Sequence, residues 1–126
     1  LKEKVDEGAD YIVTQMFFEN DVYFNFVEKA REEGITIPII PGLKVMTTYN
    51  QLKSLPEFFY LSIPEQLSDE VEARPERVRE IGIEWTRKQC EELLSYGVPG
   101  LHFYVMTNPT AAIEVLEDLP FHKVKR

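Results

Sequence analysis

The chain has one cysteine, one tryptophan and two histidines in 126 residues. A single cysteine, Cys90, excludes an internal disulfide and fits a reducing compartment. The two histidines, His102 and His122, lie far apart, so no zinc-ligand spacing exists. Six glycines never form the GxGxxG of a dinucleotide fold or a P-loop. A GxSxG nucleophile elbow is also absent. Basic residues are the minority, 14 against 22 acidic, and the net charge of −8 repels nucleic-acid phosphates. No apolar run approaches the roughly 20 residues needed to span a bilayer. These absences remove nucleic-acid binding, membrane insertion, zinc chemistry and serine-hydrolase chemistry from the expected functions, and point to a cytoplasmic protein.

What remains is globular in composition, 44% apolar and 12% aromatic. The opening Leu1-Lys-Glu-Lys has helical character, without an initiator methionine or a basic-then-apolar leader, and is read as a cut through a longer sequence. Three nearly continuous apolar runs predict buried strands: Tyr11–Phe18, Ile37–Pro41 and Leu101–Met106. Continuous runs suit strands covered on both faces, as in parallel sheets.

Helical spacing fills the intervals. Asn20 or Asp21 can cap a helix to about Glu33, stopped by Gly34, with Val22, Tyr23, Phe26, Val27 and Ala30 on its apolar face. Thr47 or Thr48 can cap a short helix that Pro56 ends after Leu55. Ile63-Pro64 begins another, with a break near Arg74-Pro75. A long helix then runs to Tyr96 and stops at Gly97, burying Val78, Ile81, Trp85, Cys90, Leu93 and Leu94. Asn108-Pro109 starts the last helix. Strands alternating with helices predict βαβ units and a parallel sheet, either open or three staves of a barrel. No repeat or linker divides the chain, so residues 1–126 are read as a single unit.

Ligands of parallel α/β folds sit at the C-terminal strand ends. There the first strand carries Thr14-Gln15 within an apolar run. Simple alternation puts Tyr11, Val13, Gln15 and Phe17 on one face and Ile12, Thr14, Met16 and Phe18 on the other. A glutamine can offer a heterocycle a donor beside an acceptor, or bond a neighbouring loop; spacing leaves both open. Gly42 permits a turn or a close approach. His102 reads as a hydrogen-bonded core residue, and Tyr104 as a ring able to stack on a planar ligand. Cys90 reads as packing. Lys4 reads as a surface charge or a phosphate contact.

In this order and at this spacing the segments resemble methylenetetrahydrofolate reductase. Leu1–Ala9 is similar to the helix and turn before the family's sixth barrel strand. Thr14-Gln-Met-Phe-Phe18 resembles its Thr-Gln-Phe-Phe-Phe strand, Ile39-Ile-Pro-Gly42 its seventh strand, and His102-Phe-Tyr104 its eighth. The resemblance implies the C-terminal three strand–helix units of a (β/α)8 TIM barrel. It implies FAD, NAD(P)H as reductant, and reduction of 5,10-methylenetetrahydrofolate to 5-methyltetrahydrofolate, in an enzyme that forms a homo-oligomer. By the same resemblance Gln15 and Gln51 contact folate, Leu55 takes a position where relatives place an aromatic against the substrate, and Lys4 and Tyr104 contact the cofactor. The chain departs from the pattern at Glu3, where relatives carry arginine beside the FAD lysine, and at Asn108, where relatives carry a substrate-binding arginine. The family's general acid falls before Leu1, so no catalytic residue is expected here. The alternatives are a non-catalytic half-barrel that binds a folate-like ligand or a partner chain, and another pterin-using barrel such as a methyltransferase domain.

Overall fold

The computed structural model describes residues 8, 10–59, 61–105 and 109–117. Its elements are β1 (Ile12–Met16), α1 (Asn20–Glu32), β2 (Ile39–Leu43), α2 (Gln51–Phe59), α3 (Glu65–Ala73), a 3-10 turn at Pro75–Arg77, α4 (Val78–Tyr96), β3 (His102–Phe103) and α5 (Thr110–Glu117). The strands form one parallel sheet in the order β1-β2-β3. β2 and β3 each follow a helical segment, so the sheet has the βαβ connectivity that alternating apolar runs and amphipathic helices require.

The expected strands are all present, the first and third shorter than expected. The second is shifted two residues toward Leu43, because its ladder starts at Ile39 opposite Ile12. The third pairs over His102–Phe103, and one more bond, from the Tyr104 amide to the Leu43 carbonyl at 2.8 Å, extends it. Met106 lies outside the described residues.

Helices cover one side of the sheet and bury Tyr23, Ile39, Leu43, Cys90, Leu93 and Val115 in one cluster. Burying a side chain of this size contributes about 1.5–3 kcal/mol each. A second cluster gathers Met16, Phe18, Leu55, Leu67, Val71 and Ile81 beyond the strand ends. Cys90 is fully buried in the first, as its packing role requires, and burial pushes its thiol up to about 12.

Several local expectations are corrected. Asn20 does not cap α1: its amide instead donates to the Gln89 carbonyl at 3.1 Å and to Glu92 Oε1 at 2.7 Å, tying α1 to α4. Val22 is exposed, since the buried stripe runs Tyr23–Val27–Ala30. Pro56 lies inside α2 instead of ending it. Proline's fixed φ is itself helical, and the loss is confined to one backbone donor in a short helix. Trp85 and Leu94 are only partly buried, while Ile83, Thr86 and Gln89 turn inward. Trp85 Nε1 donates to the Phe18 carbonyl at 2.8 Å and Gln89 Nε2 to the Phe17 carbonyl at 3.3 Å. The carbonyls just past β1 are thus satisfied by α4 side chains, as buried backbone groups must be. Ile113 is exposed on α5. Gly34 (φ +87°) and Gly97 (φ +96°) stop their helices in the left-handed region that glycine enters without steric cost.

Candidate functional site at the C-terminal strand ends

The first strand breaks its alternation where its polar pair lies. Val13 pairs with Ile40 and Met16 with Gly42, so β1 spends three steps where β2 spends two. The extra residue is a β-bulge at Thr14-Gln15. Its effect on the faces is direct: Ile12 and Phe17 pack on the same cluster, which strict alternation forbids. The bulge's polar groups are satisfied from three sides. The Gly42 amide donates to Thr14 Oγ1 at 2.9 Å, Thr14 Oγ1 donates to the Gln15 carbonyl at 3.0 Å, and Tyr104 Oη donates to the Thr14 carbonyl at 2.7 Å.

Gly42 makes this possible. A Cβ on it would lie 2.5 Å from the Thr14 carbonyl oxygen and 2.6 Å from Tyr104 Cε2. The close approach expected at this glycine is therefore by the protein's own β1 backbone and Tyr104 ring, and not by a ligand or at a turn. His102 is exposed and meets the Tyr104 ring edge-on at 4.6 Å. This corrects its reading as a core residue.

Gln15, within the bulge, is exposed. Its Nε2 donates to the Phe59 carbonyl, at the end of α2, at 2.5 Å, which leaves Oε1 as a free acceptor among the described residues. Gln51 opens α2 and folds back: its Oε1 accepts from the Thr47 amide at 2.7 Å and the Thr48 amide at 3.3 Å. It therefore does the capping expected of the threonines, and its Nε2 donor stays free among the described residues. Leu55 lies one turn further on and is 4% exposed.

These groups line three neighbouring cavities. Gln15 and Phe59 border one of about 590 Å³. Phe59, Leu55 and Gln51 border a second of about 540 Å³, which also reaches Lys44. Gln51, Lys44 and Tyr104 border a third of about 170 Å³. Of the six residues singled out by sequence, the structure brings Gln15, Gln51, Leu55 and Tyr104 to one end of the sheet. Lys4 and Asn108 lie outside the described residues. Lys44 is the residue that sequence reasoning missed. The available signal was a lysine placed directly after an apolar strand.

Among the described residues no group of histidine, cysteine, aspartate and glutamate could hold a metal ion, and no helix is long and apolar enough to cross a membrane. The site offers an amide acceptor, an amide donor and an aromatic ring around open space. That is the equipment of a parallel α/β protein that binds a planar, hydrogen-bonding ligand at its strand ends.

Comparison with known proteins makes the class definite. The family model for methylenetetrahydrofolate reductase matches residues 1–120. A methylenetetrahydrofolate reductase (NADH) 1 of Zea mays is 36% identical over 94% of this chain. Methylenetetrahydrofolate reductase 1 of Schizosaccharomyces pombe is 38% identical over 94%, and the Escherichia coli 5,10-methylenetetrahydrofolate reductase 28% over 94%. The chain belongs to the methylenetetrahydrofolate reductase family. It spans 21%, 20% and 41% of the length of these three relatives. A solved structure of an uncharacterized Clostridium thermocellum protein, described as binding two copies of 5-methyl-5,6,7,8-tetrahydrofolic acid, superimposes with a TM-score of 0.61. It shares 16% identity, over 98% of this chain and 47% of that one. That likeness shows the parallel α/β fold.

Proposed function

We propose that residues 1–126 are a single unit, the last three strand–helix units of a (β/α)8 barrel. That barrel would reduce 5,10-methylenetetrahydrofolate to 5-methyltetrahydrofolate with NAD(P)H and FAD. Family membership supports the reaction. The observation that carries the site is the gathering of Gln15, Gln51 and Tyr104 at the C-terminal strand ends, where barrel enzymes bind their ligands. The apolar cavity along the β1 edge, walled by Ile12, Val13 and Phe26, fits packing against a further stave.

In this reading Gln15 Oε1 accepts from the pterin and its Nε2 is held by Phe59. Gln51 Nε2 donates to the folate from the opposite wall. Leu55 gives that wall an aliphatic edge. Anchoring both amides through their second polar atom fixes their orientation before the ligand arrives, which lowers the ordering cost of binding. FAD, when bound, carries the hydride between NAD(P)H and folate. Among the described residues Tyr104 fits such a cofactor, with a half-buried ring face at the strand end. Its phenolic proton is committed to Thr14, so it offers the ring and not a donated hydrogen bond. The cofactor's phosphates are assigned to Lys4, and the tail end of the folate to the neighbourhood of Asn108.

The full-length parent protein tests this. Purified, it is expected to show a flavin spectrum that NADH or NADPH bleaches and 5,10-methylenetetrahydrofolate restores. A colourless protein that binds folate would support the non-catalytic half-barrel instead. A colourless protein with methyl-transfer activity would support a methyltransferase domain.

A further inference from the structure

Lys44 directly follows β2 and is only 7% exposed. A buried ammonium ordinarily has an acid or carbonyl partner that replaces its lost hydration. Among the described residues Lys44 has no hydrogen bond and no ion pair. Burial holds its pKa below the usual lysine range, and no neighbouring carboxylate offsets the shift.

Its direction follows from the strand. Ile39, Leu43 and Val45 pack into the helix-covered cluster. Gly42 faces the other way, toward Thr14 and the Tyr104 ring. Alternation puts Lys44 on the side of Gly42. It borders both the 540 Å³ cavity with Gln51 and Leu55 and the 170 Å³ cavity with Gln51, Tyr104 and Thr110. The other cation of the smaller cavity, Arg79, is already paired with Glu114 at 2.6 Å. The first turn of α5, at Thr110–Ala112, adds its amide dipoles to the same wall. The wall thus carries positive potential, and among the described residues that line these two cavities there is no carboxylate to answer it.

We propose that Lys44 receives a carboxylate of the folate's glutamyl tail. This rests on the folate-binding reading above and adds a residue to it. The order of the cavities supports it. Gln15 is bonded to Phe59 at one end, Phe59 and Leu55 border the middle cavity, and Lys44 borders that cavity and the last. A ligand with a planar heterocycle at one end and carboxylates at the other matches that order. A charge-assisted bond to a lysine without a partner among the described residues is worth on the order of tenfold or more in affinity.

The test uses the full-length protein and two ligands, 5-methyltetrahydrofolate triglutamate and 5-methyltetrahydropteroate, which lacks the tail. Wild type is expected to bind the triglutamate at least about tenfold more tightly. In Lys44→Met that ratio is expected to fall toward one, and in Lys44→Arg to be partly retained. Lys44→Gln replaces Lys44→Met if the latter does not fold. A ratio unchanged in Lys44→Met overturns the proposal and leaves the folate reading standing. Wild type that binds neither ligand overturns both. Inorganic phosphate that raises the melting temperature of wild type but not of Lys44→Met, with the ligand ratio unchanged between the two, overturns the tail assignment in favour of a free-phosphate site.

Discussion

Tyr104 Oη donates to the carbonyl of Thr14 across 90 residues of sequence, at 2.7 Å. The bond joins the third strand to the bulge of the first, although β2 lies between them. It reaches because Gly42, in between, has no side chain. Gln15 sits in this bulge, so its placement depends on how the bulge is held.

Removing that bond alone is expected to loosen the bulge without emptying space. Tyr104→Phe should lower stability by about 1 kcal/mol. In the full-length protein it should raise the KM for folate more than it lowers the rate of flavin reduction by NAD(P)H. Thermal melting and the two half-reactions check this; an unchanged melting temperature would mean that Tyr104 does not hold the bulge.

Filling the gap at Gly42 should do more. In Gly42→Ala the methyl meets the Thr14 carbonyl oxygen and Tyr104 Cε2. Neither the β1 backbone nor a ring held at both ends can retreat cheaply, so destabilisation of about 1–3 kcal/mol is expected. Gly82→Ala is a parallel case on α4, where a Cβ would collide with the Met46 carbonyl in the segment between Lys44 and Gln51. Denaturant melts of both variants, compared with the control Gly100→Ala, which meets nothing within 4 Å, measure the cost.

Lys44 gives a pH signature. Its pKa is lowered by burial in the folded chain, so the unfolded chain binds the extra proton between the lowered folded value and the ordinary lysine value. Folding is therefore penalised fully below the lowered folded value, and the penalty fades as pH rises through that window. Lys44→Met should raise the melting temperature of the ligand-free protein at pH 7, by a stabilisation of about 1 kcal/mol or more. That advantage should shrink as pH rises toward the lysine range. A variant less stable than wild type at pH 7 would show that Lys44 has a stabilising partner.

The sequence made the strand–helix order legible because apolar periodicity is local. It also made Gly34 and Gly97 legible as stops, because a left-handed residue after a helix is a local demand. The bulge at Thr14-Gln15 was not legible, since it depends on the Gly42 amide and the Tyr104 phenol arriving from other strands. The same holds for Asn20, which has the residue type of a cap but bonds α4 instead. Gln51 caps its own loop, a role that threonines at 47 and 48 obscured. Lys44 was passed over because its one signal, a lysine directly after an apolar strand, does not by itself distinguish a buried lysine from a solvated one. Gln15, Gln51 and Tyr104 were singled out from sequence mainly through resemblance; the structure adds how each is held.

The most direct test of the account is Gln15→Ala in the full-length parent, with the two half-reactions followed separately by stopped-flow absorbance of the flavin. Reduction by NAD(P)H is expected to proceed at a rate close to wild type. Reoxidation by 5,10-methylenetetrahydrofolate is expected to be slower by about tenfold or more, with weaker folate binding, because a site built to hydrogen-bond its ligand loses its acceptor. Equal loss of both half-reactions, or normal folate reduction, would contradict the placement of Gln15 in the folate site.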